Sequence, residues 1–267
     1  MKICLSIGYP MNTSRSPSIH SEGYKKLGID DKFIYLRVEV KPENLKMAID
    51  GVRGLGIRGV SVTMPHKQTV LKYLDKIDKD AKIIGAVNTI VNDNGKLTGF
   101  NTDYIGALMA LEEKINLKGK NAAVIGAGGA ARAIVYGLTK RNARVTIFNR
   151  SLDKAKILGQ EFGCEYKSLN SLDEISKADI VINATSVGMN EDKSPINKKF
   201  LNKNQVILDV VYTPKETRLI KDAKEKGATV IFGYEMLLYQ GVEQFRLYTR
   251  LDAPIDAMRE ALEKSLK

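Results

Sequence analysis

The chain has no tryptophan, two cysteines and only seven prolines among its 267 residues. Cys4 and Cys164 are isolated, with no Cys-x-x-Cys pair and no Cys/His cluster, which argues against a disulfide-stapled scaffold and against a zinc site. Nowhere does an apolar run approach the roughly 18 residues that a membrane helix needs. The N-terminal stretch MKICLSIGYPMN is broken by Gly8 and Pro10, too soon for a secretory leader, so the expected compartment is the cytoplasm. A concentrated basic stripe is missing too. The net charge is +11, but the lysines and arginines are spread along the chain and interleaved with acids. Binding to a nucleic-acid backbone calls for a stripe or patch; a Lys-rich solvated surface is the plainer reading, and its field can draw in small anions. What the chain does have is 43% hydrophobic residues, enough for packed cores, and a length matching about two domains.

Apolar periodicity divides the chain into two α/β patterns. The first has strand-like runs over 2–8, 33–40 and 58–63, a helical stretch opened by Pro42 with Leu45, Ile49 and Val52 at helical spacing, and a short helix after Lys67. Two further strand-like runs, 83–91 and 96–100, flank an Asn-Asp-Asn-Gly turn and predict a hairpin at an antiparallel edge. The second pattern starts with a helix from about Asp103. Strands over 121–126, 143–149, 179–185, 205–212 and 228–232 then alternate with helices, the central ones apolar throughout, as buried parallel strands are. From Glu235 the pattern is helical to the end, interrupted at Pro254. The expected division is a first domain over 1–101, a second over 102–235, and C-terminal helices over 236–267 that pack on the first.

The sharpest motif is Gly126-Ala127-Gly128-Gly129-Ala130-Ala131, directly after a strand and opening a helix. Gly126 permits the tight turn, Gly128 lets the backbone approach a pyrophosphate, and Ala131 allows close helix–strand packing. Free N–H groups and the positive end of the helix dipole then face the phosphates. Sites for NAD usually have Asp or Glu at the end of the next strand, to accept from the ribose 2′-hydroxyl. Here that place holds Asn149-Arg150-Ser151, with Lys154 one turn on. An acid would repel a 2′-phosphate, whereas Arg150 can bind it through paired charge-assisted hydrogen bonds, so the expected cofactor is NADP. The carboxyl ends of later strands line the same crevice and add Thr185, Val210, Tyr212 and Gly233.

Four polar clusters stand at strand ends in the first half. Ser14-Arg15-Ser16-Pro17 can bind a carboxylate, with plain turn chemistry as the rival reading. The segment 61–67 ends in Lys67, which alone would read as a surface lysine. Asn88 puts an amide in an apolar strand, where it must find a partner. Asp103 precedes a helix, where an N-cap role competes with chemistry.

Nine stretches in chain order then carry a resemblance: GYPMNTSRSPSIH, GVSVTMPHK, GAVNT, GFNTD, GAGGAARA, NRSLDKA, NATSVGM, DVVYTPKET and GYEMLLYQG. Together they resemble the shikimate dehydrogenase family along essentially the whole chain. The resemblance implies an α/β substrate domain, a Rossmann-type NADP-binding domain, C-terminal helices returning to the first domain, and NADPH-dependent reduction of 3-dehydroshikimate. It also implies that Ser14 and Ser16 hold the substrate carboxylate. Thr63, Asn88, Asp103 and Gln240 would contact ring hydroxyls, Tyr212 would face the substrate, and Lys67 with Asp103 would be the catalytic pair. Such a pair fits the reaction, because an ammonium can stabilise and protonate the developing alkoxide while a carboxylate orients the hydroxyl.

Three positions depart from the family pattern. Ser61 stands where Asn is usual, His20 is followed by Ser, and Tyr248 replaces a common Trp. The implied partner is a small-molecule substrate, with no metal, nucleic acid or membrane, and a monomer or homodimer. The rival readings are a quinate/shikimate enzyme of relaxed specificity and a non-catalytic NADP-sensing or nucleic-acid-binding module on the same fold.

Overall fold

Side-chain alternation along β1 (Lys2–Gly8) sets the layering of the first half. Leu5 and Ile7 point to one face, and Cys4, Ser6 and Gly8 to the other. The computed structural model describes residues 1–11 and 14–266; Asn12 and Thr13, inside the first resemblance stretch, and the C-terminal Lys267 lie outside the described residues. The chain divides into two units, Met1–Thr102 with Gln240–Lys267, and Asp103–Tyr239.

In the first unit, β1 is followed by α1 (Ser16–Lys26), β2 (Phe33–Glu39), α2 (Leu45–Gly54), β3 (Gly59–Val62), β4 (Lys76–Ile77), α3 (Lys79–Ile84), β5 (Thr89–Asp93) and β6 (Lys96–Phe100). The sheet order is β2-β1-β3-β5-β6-β4. β1 runs parallel to β2 and β3, and β5 runs antiparallel to both β3 and β6. Leu45, Ile49 and Val52 of α2 pack on Leu5, Ile7, Val60, Val62 and Ile90, forming the core of one face.

Two expectations are corrected. The run 83–91 is not one strand: Ile83 and Ile84 end α3, whose N-cap Asp78 accepts from Asp80 N and whose C-cap Gly85 is left-handed at φ 70°. Paired capping signals outweigh the strand propensity of two isoleucines. The hairpin turns at Asn94 and Gly95, both at positive φ, as its sequence predicts, but it is not the sheet edge, because β4 pairs outside β6. Helix α1, opened by Pro17, has no counterpart in the periodicity reading.

The second unit contains α4 (Asp103–Glu112), β7 (Asn121–Ile125), α5 (Gly129–Lys140), β8 (Arg144–Asn149), α6 (Leu152–Phe162), β9 (Glu165–Ser168), β10 (Ile180–Asn183), β11 (Val206–Asp209), α7 (Arg218–Glu225) and β12 (Thr229–Ile231). All strand pairs are parallel, in the order β12-β11-β10-β7-β8-β9. Counted from β7 this is the 3-2-1-4-5-6 order of the doubly wound dinucleotide fold, with its topological switch between β7 and β10. β9 lacks an apolar run and is not predicted by the pattern.

Helix α8 (Gly233–Thr249) and helix α9 (Ile255–Ser265) close the chain. From Gln240 onward they belong to the first unit, where α9 packs on α1. The end of α8 is fastened to the first sheet by Arg58, which donates to Tyr248 O (2.8 Å), Leu247 O (3.1 Å) and Asn92 O (2.8 Å) and pairs with Asp93. A guanidinium on the last carbonyls of a helix satisfies groups that have no intrahelical partner. Among the described residues no helix is long and apolar enough to cross a membrane.

Candidate active site

Register places a row of small hydroxyls across the first sheet, on the face opposite α2. Ser6 pairs with Ser61, and Ser61 with Thr89. The next row on that face runs Tyr35, Cys4, Gly59 and Val91. Helix α8 lies over both rows with residues one turn apart: Gln244 reaches Ser61 and Thr89, and Tyr248 covers Gly59. A Cβ at Gly59 would sit 2.3 Å from the Tyr248 ring, so only glycine admits it.

Asn88 follows the left-handed Gly85 and lies just before β5. Its N–H donates to Phe100 O (3.1 Å), and its carbonyl accepts from Val62 N (2.7 Å). The side chain is buried and fully engaged. Oδ1 accepts from Thr102 N (2.7 Å) and Thr89 Oγ1 (2.8 Å), while Nδ2 donates to Thr102 Oγ1 (3.0 Å) and, more loosely, to Gln240 Oε1 (3.4 Å). The partner that a buried amide requires is thus found on two segments distant in sequence. Lys67 is half-buried, and its backbone carbonyl accepts from Val87 N (2.8 Å), next to Asn88. Thr63 is half-buried at the end of β3; its N–H donates to Ile7 O (2.9 Å) and its methyl lies against Gly8. Ser14 is half-buried ahead of α1 and Ser16 is buried at its first position, with no acid in that first turn. Asp103 is buried and stands inside the first turn of α4 rather than before it.

Behind this face is an aromatic layer. His20 is fully buried and stacks on Tyr35 at 4.2 Å with rings 6° apart, and Tyr24, Phe245 and Tyr248 surround it. Burial pushes its pKa down to about 3, against an opposing contact from Gln244, so the ring is neutral at physiological pH. Burial likewise pushes the Cys4 thiol up to about 11, which keeps it protonated and unreactive.

In the second unit, the Gly126 turn sits at the topological switch. Gly126 has φ +117°, and a Cβ there would lie 2.9 Å from Ala184 O, at the end of β10. Gly128 has nothing within 4 Å of its would-be Cβ and forms the N-cap of α5 without a side-chain bond, and the first turn of α5 carries no acid. Gly128 is exposed, and Ala127, Gly129 and Ala130 are half-buried around it. This open, donor-rich turn fits a dinucleotide pyrophosphate.

At the end of β8, Asn149 Nδ2 donates to Ser151 O (2.9 Å), while Arg150, Ser151 and Lys154 are exposed. Thr185 bonds Asn183 Oδ1 through both its N–H (3.1 Å) and its hydroxyl (2.6 Å). Val210 N donates to Asn183 O (3.0 Å), and a Cβ at Gly233 would lie 2.6 Å from the carbonyl oxygens of both Asp209 and Val211, so only glycine lets the chain pass that close to this backbone. Tyr212 is half-buried beyond β11.

Several residues escape the sequence reading. Asn183 pairs in register with Asp209 and donates to its Oδ1 (2.9 Å). Asp209 also accepts from Val211 N (3.1 Å) and Thr217 Oγ1 (2.6 Å), and burial raises its pKa to about 6. This network holds the loops after β10 and β11. Its signal was a carboxylate closing an apolar strand, and the signal of Gln244 was its spacing of four from Gln240. Among the described residues no group of three or more His, Cys, Asp or Glu could hold a metal ion.

Three families match in chain order: the shikimate dehydrogenase substrate binding domain over residues 6–90, shikimate / quinate 5-dehydrogenase over 108–211, and the shikimate 5'-dehydrogenase C-terminal domain over 233–263. The shikimate dehydrogenase (NADP(+)) of Pyrococcus furiosus is 48% identical, aligned over 97% of this chain and 94% of that protein. The shikimate dehydrogenase (NADP(+)) of Methanocaldococcus jannaschii is 45% identical over 98% and 96%. A solved shikimate 5-dehydrogenase from Thermus thermophilus, in complex with NADP(H) and shikimate, covers 100% of both chains at 36% identity with a TM-score of 0.94.

Proposed function

The chain belongs to the shikimate dehydrogenase family, and from that membership we propose that it catalyses the reversible NADPH-dependent reduction of 3-dehydroshikimate to shikimate, in the cytoplasm. The unit Met1–Thr102 with Gln240–Lys267 is the substrate domain and Asp103–Tyr239 holds NADP, so the expected boundaries at 101/102 and 235/236 move to 102/103 and 239/240. The observation that carries the reading is the Asn88 amide, which is locked on one side by Thr102 and Thr89 and meets Gln240 at 3.4 Å from 152 positions away. A buried amide held this rigidly, with one long hydrogen bond, is a preorganised donor for a ring hydroxyl.

In this reading Ser14 and Ser16 bind the carboxylate beside the N-terminus of α1, whose dipole favours an anion. Thr63, Asn88, Asp103 and Gln240 bind the ring hydroxyls, and Tyr212 faces the ring. Gly126, Ala127, Gly128, Gly129 and Ala130 cradle the pyrophosphate. Arg150, with Asn149, Ser151 and Lys154, binds the 2′-phosphate, while Thr185, Val210 and Gly233 line the remainder. NADPH supplies the hydride when bound. The Lys67 ammonium stabilises negative charge growing on the substrate oxygen, Asp103 orients the hydroxyl, and the two pass the proton as a pair.

Shikimate is favoured over quinate as substrate, since the relatives described above are shikimate enzymes. The test is NADPH formation from shikimate and NADP+ by the purified protein, with quinate and NAD+ as comparison arms. The expected outcome is turnover with shikimate and NADP+ well above either alternative; no NADPH from shikimate would overturn the reading.

A further inference from the structure

We propose that Gln244 is a positioning residue for this reaction, fixing the orientation and proton direction of the Asn88 amide from helix α8; this rests on the reading that Asn88 and Gln240 face the substrate. Gln244 is fully buried, and its Nε2 lies 3.0 Å from Ser61 Oγ, 3.0 Å from Thr89 Oγ1 and 3.4 Å from Asn88 O. A backbone carbonyl can only accept, so Nε2 is the amide end that faces this cluster.

A hydroxyl carries one proton. With Thr89 Oγ1 receiving the Gln244 N–H, its own proton goes to Asn88 Oδ1 at 2.8 Å. Oδ1 also receives Thr102 N at 2.7 Å. Rotating the Asn88 amide by half a turn would set its NH2 against both donors. Nδ2 is therefore held toward Thr102 Oγ1 and Gln240 Oε1, and its long contact with Gln240 is the one that can yield to a substrate oxygen.

The same clamp sets Gln240, which is one helical turn away on the same face of α8. It also accounts for Ser61. Serine is too short to project an amide of its own from β3. Here the amide arrives from α8 and lands on the serine hydroxyl.

The experiment compares wild type, Gln244→Met and the double variant Ser61→Asn/Gln244→Ala in shikimate oxidation, with Tm recorded for each. Methionine keeps the length of glutamine but donates nothing. For Gln244→Met the expected result is a shikimate KM raised about tenfold, as for a lost buried hydrogen bond, with the NADP+ KM unchanged. The double variant, which moves the amide from α8 to β3, is expected to recover the shikimate KM to within about threefold of wild type. A merely structural role would lower Tm and leave both KM values in place, and that result overturns the proposal. If Gln244→Met does not fold, the double variant decides: a shikimate KM still raised tenfold refutes the assignment. Absence of NADPH with wild type overturns the functional reading, and this proposal falls with it, whereas wild-type turnover with an unmoved variant KM overturns this proposal alone.

Discussion

Asp209 ends β11 with its carboxylate in the protein interior, and that placement sets a measurable dependence of stability on pH. Its partners are neutral donors: Asn183 Nδ2, Val211 N and Thr217 Oγ1. Burial outweighs them and lifts the pKa from 3.8 to about 6. The folded protein then keeps a proton that the unfolded chain releases near pH 3.8. The stability contributed by this group is fully present below that value and is lost as pH rises through about 6. A rise of about two pH units, at about 1.4 kcal/mol each, makes the loss about 3 kcal/mol.

Asp209→Asn removes the charge and retains most of the bonding. Its Oδ1 can accept from Val211 N and Asn183 Nδ2, and its Nδ2 can donate to Thr217 Oγ1. Remade hydrogen bonds add an offset that does not change with pH. The stability difference between variant and wild type should therefore shift in the variant's favour by up to about 3 kcal/mol between about pH 4 and pH 7. Urea unfolding midpoints across that range measure it. A difference that stays the same at every pH would show that Asp209 ionises as freely in the folded protein as in the unfolded chain, and the account of this network would fail.

Lys67→Ala should lower kcat by roughly 10²–10⁴ with little change in KM, the signature of lost acid–base help; steady-state kinetics with shikimate checks it, and near-normal turnover would remove Lys67 from the mechanism. Arg150→Ala should raise the KM for NADP+ by roughly tenfold to a hundredfold and leave NAD+ use unchanged, since each charge-assisted bond is worth on the order of 1.5–3 kcal/mol; equal losses with both cofactors would contradict a 2′-phosphate role. Gly59→Ala forces a methyl group into the buried Tyr248 ring and should destabilise by about 1–3 kcal/mol. Thermal melting reads the effect, and Tyr248→Leu in the same chain should recover part of it.

The second unit was the more legible in sequence because its physics is local. Each buried parallel strand is a continuous apolar run, and the glycine turn has a strand before it and a helix after it. Its exception, β9, shows the condition: an edge strand reading Glu-Tyr-Lys-Ser has only one covered neighbour and no apolar run to announce it. The stretch 79–84 failed for a related reason. Two isoleucines outweighed an Asp at one end and a Gly at the other, although the caps decide a helix too short for amphipathic periodicity to show.

The candidate site was legible as residues and illegible as a network. Asn88 could be singled out because an amide in an apolar strand needs a partner, but the identity of that partner depends on strand register and on the return of α8. Ser6, Ser61 and Thr89 look like ordinary polar breaks along three separate strands. They become a layer only when parallel and antiparallel pairing aligns them in one row. Once α8 covers that row, its hydroxyls depend on partners inside the protein, and Ser6 Oγ is left without one. Gln244 meets that need at two of the three positions, through contacts spanning 183 and 155 residues. Helical spacing from Gln240 was its only trace in the sequence, and a glutamine at that spacing is equally at home on a solvated face. Burial, which distinguishes the two cases, is a property of the assembled unit; the polar layer beneath α8 is for that reason the part of the site that required the fold to be seen.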